Sequence, residues 1–111
     1  MFADKDVVKT VRELLKGIKG VRETKRLFQP HNFYINEQFC CGVEGKNLLI
    51  AIKPEQFDII HQYPYIQTID VKYGGTLKDV VWLPAKGKGA PPSLEKWVDI
   101  GIAASRSNTI F

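Results

Sequence analysis

Apolar residues recur at helical spacing from the start of the chain. Val8, Val11, Leu15 and Ile18, joined by Val7 and Leu14, form one apolar face about 120° wide. The spacing predicts a helix from Asp4 to Lys19, with Asp4 as N-cap and Gly20 where helices often end in a left-handed residue. From Glu23 the period changes to short β-prone runs broken by turn residues: Thr24 to Phe28, Asn32 to Ile35, Phe39 to Val43 and Leu48 to Lys53. Asn36-Glu37-Gln38 and Glu44-Gly45-Lys46-Asn47 read as tight hairpin connections, so the economical arrangement is an antiparallel meander. Pro54 suits the first turn of a middle helix reaching Tyr63, anchored by Phe57, Ile60 and Ile59. Two more strands are predicted near Ile66 to Lys72 and Leu77 to Leu83, around a turn at Tyr73-Gly74-Gly75-Thr76. Residues 84–92 carry little that packs and read as a mobile surface loop. Ser93 caps a last helix to about Ser105, buried through Leu94, Trp97, Val98 and Ala104, with Gly101 allowing close approach; residues 106–111 read as a frayed tail.

The whole is an α+β domain, with about five to six antiparallel strands and N-terminal, middle and C-terminal helices. At 111 residues one domain, 1–111, accounts for the chain, and 44% hydrophobic with 25% charged residues argues against disorder. No apolar run approaches the roughly 20 residues that span a bilayer. The opening Met1-Phe2-Ala3-Asp4-Lys5-Asp6 is charged where a secretory signal is apolar, so a cytoplasmic location is expected. Cys40 and Cys41 are adjacent in a predicted strand, so alternation sends their side chains to opposite faces as free, mostly buried thiols. They fall short of a structural zinc site, and neither His31 nor His61 stands at ligand spacing from them.

Charge placement changes the picture. Residues 1–26 hold eight basic against four acidic residues, while 27–111 balance eight against eight, which puts the whole net charge of +4 at the N-terminal end. Lys9, Arg12, Lys16 and Lys19 run as a stripe beside the apolar face, extended by Arg22, Lys25 and Arg26. Such a stripe is either a solvated border, its methylene stems covering the core, or a surface that tracks phosphates. A second candidate surface is the sheet face away from the helices, where Tyr34, Cys40, Leu49 and Ala51 are expected to leave an apolar patch of the kind that marks partner sites.

The central stretch carries a resemblance. Arg26-Leu27-Phe28, Phe33-Tyr34-Ile35-Asn36, Phe39-Cys40-Cys41-Gly42-Val43, Leu48-Leu49-Ile50-Ala51-Ile52 and Leu94-Glu95-Lys96-Trp97-Val98, in that order, resemble the N-terminal domain of the TfoX competence-regulator family over residues 11–105. The resemblance implies a curved antiparallel sheet with helices, similar in outline to small secretion-chaperone-like folds that often form dimers. Where family members commonly have Gly-Gly, this chain has Gln29-Pro30, and where an arginine is common it has Ala51. The full competence regulators carry a further C-terminal domain, which this chain stops short of, so complete activator function is not transferred.

No catalytic set assembles from the residues. His31, after Pro30, reads as a loop residue, and His61 lies on the middle helix. No serine precedes Ser93, and Gly74-Gly75 and Gly87-Lys88-Gly89 lack the spacing of a phosphate-binding loop. The expectation is a non-enzymatic regulatory or interaction module with no cofactor, metal or small-molecule substrate and no membrane association. It binds a protein partner or itself as a homodimer; nucleic-acid binding by the basic residues is the alternative, and an uncharacterised enzymatic activity a remote one.

Overall fold

Asp4 starts the first helix through its side chain. In the computed structural model its Oδ1 accepts hydrogen bonds from the backbone N–H groups of Asp6 at 2.9 Å and Val7 at 3.0 Å, satisfying donors that have no partner inside a helix. The Val7 bond is the main reason the Asp4 carboxyl titrates below its ordinary range. The Asp4 backbone N–H also donates to Gly45 O at 2.8 Å, which ties the cap to a hairpin turn. The structure describes residues 2–25, 30–53, 56, 63–65, 67–73 and 76–107.

Helix α1 spans Lys5–Leu14 and buries Val7, Val8 and Val11. It stops well short of Lys19. Gly17 adopts φ +89°, in the left-handed region that ends helices, and the chain tightens instead through Lys16 N to Glu13 O and Ile18 N to Leu15 O, each 3.2 Å.

Six strands follow: β1 Val21–Thr24, β2 His31–Ile35, β3 Gln38–Glu44, β4 Asn47–Ala51, β5 Gln67–Tyr73 and β6 Thr76–Pro84; helix α2, Glu95–Ser107, closes the described chain. The strands form one antiparallel sheet in the order β1-β2-β3-β4-β6-β5. The first strand lies earlier than predicted. Asn36 N donates to Gly20 O at 3.0 Å, and the β1–β2 pairing runs on from there, from Val21↔Ile35 to Thr24↔Asn32. The rest of the predicted strand, 26–28, lies outside the described residues, as does the predicted middle helix apart from Gln56 and Tyr63. Asn36 and Glu37 both have positive φ, 50° and 68°, the conformation of a two-residue hairpin loop that matches strand twist.

Helix α1 and the greater part of α2 cover one side of the sheet, while Ala104 near the end of α2 packs with Phe39, Ala51 and Val80. Val7, Val8, Val11 and Leu15 of the α1 region and Trp97 and Val98 of α2 share a core with Phe33, Ile35, Val43, Leu48, Ile50, Val81 and Leu83. Gly101 brings α2 down onto β3: a Cβ there would stand 2.5 Å from the Cys40 carbonyl oxygen and 3.3 Å from Ile50 Cγ2. Ser93 caps α2 as predicted, its Oγ accepting from Glu95 N at 3.2 Å, and the helix continues through Ser107 where a frayed tail was expected from 106.

The cysteines depart from the alternation rule. Phe33 pairs with Cys41 but Tyr34 with Phe39, so β3 carries one extra residue, Cys40. Such a bulge turns two successive side chains the same way. Both cysteines are fully buried in the main core, not on opposite faces. Hydrogen bonding to Cys40, together with burial, holds the Cys41 thiol well above the ordinary thiol range.

Residues 84–92 make several contacts with the rest of the chain. Ala85 N donates to Lys46 O at 2.9 Å and packs on the core, Lys86 Nζ reaches Asp4 Oδ2 at 3.1 Å and Asp6 Oδ2 at 3.2 Å, and Tyr63 Oη donates to Gly89 O at 3.4 Å.

Candidate functional site

The last turn of α1 and the first two strands converge on one carboxylate. Val21 and Glu23 occupy the helix-facing side of β1, paired with Ile35 and Phe33, and antiparallel pairing of β1 with β2 sets His31 close to Glu23. Arg12 donates to Glu23 as a fork, Nε to Oε2 at 3.0 Å and Nη2 to Oε1 at 2.9 Å. His31 Nε2 lies 2.7 Å from the same Oε1, and its ring stacks at 5.1 Å on Phe33. His31 is thus a strand residue, 7% exposed, and not the loop residue its position after Pro30 suggests. Glu23 is held at a pKa of about 2, first by the Arg12 bonds and then by His31, against the opposing effect of burial. The same bonds raise Arg12 above its ordinary value. The cluster clamps α1, β1 and β2 together.

A pocket of about 390 Å³ opens beside this clamp. Buried Phe33 and Leu15 and half-buried Ile18 and Val21 supply its apolar lining, and Arg12, Glu13, Lys16 and Glu23 its charged lining. Its size falls within the range of small binding sites. Gly17, in the turn after α1, also lines it.

The pocket adjoins an open strand edge. Among the described residues β1 has β2 as its one neighbour. Gly20 O already bonds Asn36 N, so by antiparallel alternation Arg22 and Thr24 bond toward β2 while Val21 and Glu23 direct their N–H and C=O groups outward. The β1 residues that line the pocket, Val21 and Glu23, are therefore those whose backbone groups have no strand partner among the described residues.

The basic residues are divided by their partners. Arg12 is committed to Glu23, and Arg22 to Glu37 at 2.7 Å with its guanidinium 4.6 Å from the Tyr34 ring centroid. Lys9, Lys16, Lys19 and Lys25 are exposed and form no ion pair among the described residues. The stripe is not one helical row, since Lys16 and Lys19 follow the end of α1. Arg26 and His61 lie outside the described residues.

The other candidate surface is rearranged as well. The bulge carries Cys40 into the helix-covered core, and Ala51 is buried at 3% exposure in a second cluster with Phe39, Val80 and Ala104. Tyr34 and Leu49 remain half-buried against that cluster. On the same face Asn32 Oδ1 and Trp82 Nε1 are buried without hydrogen-bond partners among the described residues.

Sequence reasoning did not find Glu23, His31, Ile18 or Val21 as site residues. Glu23 lies 11 residues from Arg12 and 8 from His31, but the chain turns from helix to strand and from strand to strand across those intervals, so no single period relates the three. The antiparallel return from β1 to β2 creates the juxtaposition. Among the described residues no group of three or more His, Cys, Asp or Glu could hold a metal ion, and no helix is long and apolar enough to cross a membrane. No family model matches the chain, and no curated protein or solved structure matches it either.

Proposed function

We propose that the chain is a small non-enzymatic interaction module of the TfoX N-terminal-domain type, binding a protein partner or a second copy of itself in the cytoplasm. One observation carries this reading: a pocket with an apolar base opens against a strand edge whose outward backbone groups have no partner among the described residues, and such a combination suits recognition of another chain. The histidine beside it supports the same reading, since its Nε2 is engaged by Glu23. The test is affinity purification of the intact protein from its own cells, nuclease-treated, beside an Ile18→Asp variant that places a charge in the pocket wall. A protein that co-purifies with wild type and is lost from the variant supports the module. Capture abolished by nuclease and indifferent to Ile18→Asp would refute it.

A second reading, nucleic-acid binding, is favoured by the exposed Lys9, Lys16, Lys19 and Lys25. With Arg12 and Arg22 engaged by carboxylates, about four phosphate contacts remain, giving a salt slope of about −4 on duplex DNA. Fluorescence anisotropy with generic duplex and single-stranded DNA at low salt should then show micromolar binding, reduced by Lys16→Glu with Lys19→Glu. Absence of binding, or no response to that double variant, ends this reading.

A further inference from the structure

We infer that the partner is an extended, acidic peptide segment that adds to the outer edge of β1 as a further strand and places one apolar side chain in the pocket between that edge and the turn after α1. The inference rests on the interaction-module reading and specifies its site and chemistry. Three observations meet there. Val21 and Glu23 turn their N–H and C=O groups outward along β1, the form of edge that accepts a strand through main-chain hydrogen bonds. The same two residues border a pocket of about 390 Å³ with an apolar floor, placed where alternate side chains of an added strand would fall. Lys16, Lys19 and Lys25 stand around this edge, exposed and without ion pairs among the described residues.

The charge pattern selects among occupants. Glu23 and Glu37 are held by Arg12 and Arg22, and Glu13 on the pocket lining offsets one of Lys16, Lys19 and Lys25, so the balance of charge at the edge remains positive. An incoming segment with acidic residues flanking an apolar anchor complements it, and a basic segment is repelled. Backbone pairing supplies attachment and the pocket supplies selectivity for the anchor.

The experiment titrates the isotope-labelled intact protein with the capped peptide acetyl-Asp-Glu-Val-Leu-Val-Glu-Asp-amide, read by amide resonances. The expected result is movement of the Val21 and Glu23 amides and of those in the turn at 15–18. Two further peptides carry N-methyl groups on alternate residues, offset by one position. One set should weaken binding about tenfold or more and the other should leave it nearly unchanged, because only alternate amides of an added strand face its neighbour. Replacing the central leucine by serine should weaken binding, and Lys16→Glu with Lys19→Glu should weaken it and flatten its salt dependence. The inference is overturned if Val21 and Glu23 do not respond, if both methylated peptides bind as well as the parent, or if the same shifts arise on concentrating the protein alone, which would make the occupant a second copy. Partner capture by the intact protein with an unresponsive β1 would remove this inference and leave the module reading standing; β1 pairing without capture would do the reverse.

Discussion

Glu23 shows how much one side chain can organise. Its two oxygens receive the Arg12 fork and the His31 nitrogen, joining a helix, an edge strand and the next strand. Its folded pKa of about 2 lies below the ordinary glutamate value of 4.5, so the sign follows directly. The contribution to stability is complete above about pH 4.5 and disappears as pH falls toward 2. With the side chain 32% exposed, solvent screens the interaction, and about 1 kcal/mol is the expected size. Urea unfolding of wild type and Glu23→Gln should differ by that amount at pH 6 to 7 and converge near pH 2.5; a constant difference across the range would contradict the clamp. The cysteines offer a second residue-scale outcome. Burial, with the Cys41 thiol raised, keeps both unreactive, so an aromatic disulfide reagent should label neither thiol in the native protein and both after denaturation.

At the scale of elements, two glycines are required for different physical reasons. Gly17 has nothing within 4 Å of where a Cβ would sit, but its φ of +89° is one that L residues rarely adopt, so Gly17→Ala should cost about 1 kcal/mol through backbone strain alone. Gly101 has no such strain, yet a Cβ would meet the Cys40 carbonyl at 2.5 Å. Gly101→Ala must therefore lift α2 from β3, at about 1 to 3 kcal/mol. The distinguishing measurement is the resonance pattern of β3 and β4: Gly101→Ala should move it, whereas Gly17→Ala should confine its changes to the turn after α1. The bulge in β3 belongs to the same contact, because it sets the Cys40 carbonyl beneath the helix.

At the scale of the molecule, α1, the sheet and α2 share one principal core, and residues 84–92 bind the far end of β6 back to the start of α1 through Lys86. Unfolding should accordingly be a single transition, coincident by circular dichroism and tryptophan fluorescence; two separated midpoints would show that the helices and sheet are not one cooperative unit. Much of this α+β arrangement is legible in the residues. The Asp4 cap, the Asn36-Glu37 turn, strands β3, β4 and β6, and the seating of α2 through Trp97, Val98 and Ala104 all depend on neighbours a few positions away, and local spacing records those. The end of α1 at Leu14 is partly legible, since Gly17 was there to be weighed against Gly20. The same-side placement of Cys40 and Cys41 is not, because a bulge is a property of two paired strands. Nor is the union of Arg12, Glu23 and His31 beside an open edge. By itself the sequence determined the elements and where its positive charge is concentrated, because periodicity, caps and turns act within one or two turns of chain; tertiary structure alone decided which charges are engaged, which backbone groups are left outward and where a pocket opens, because those follow from the register and packing of segments distant along the chain.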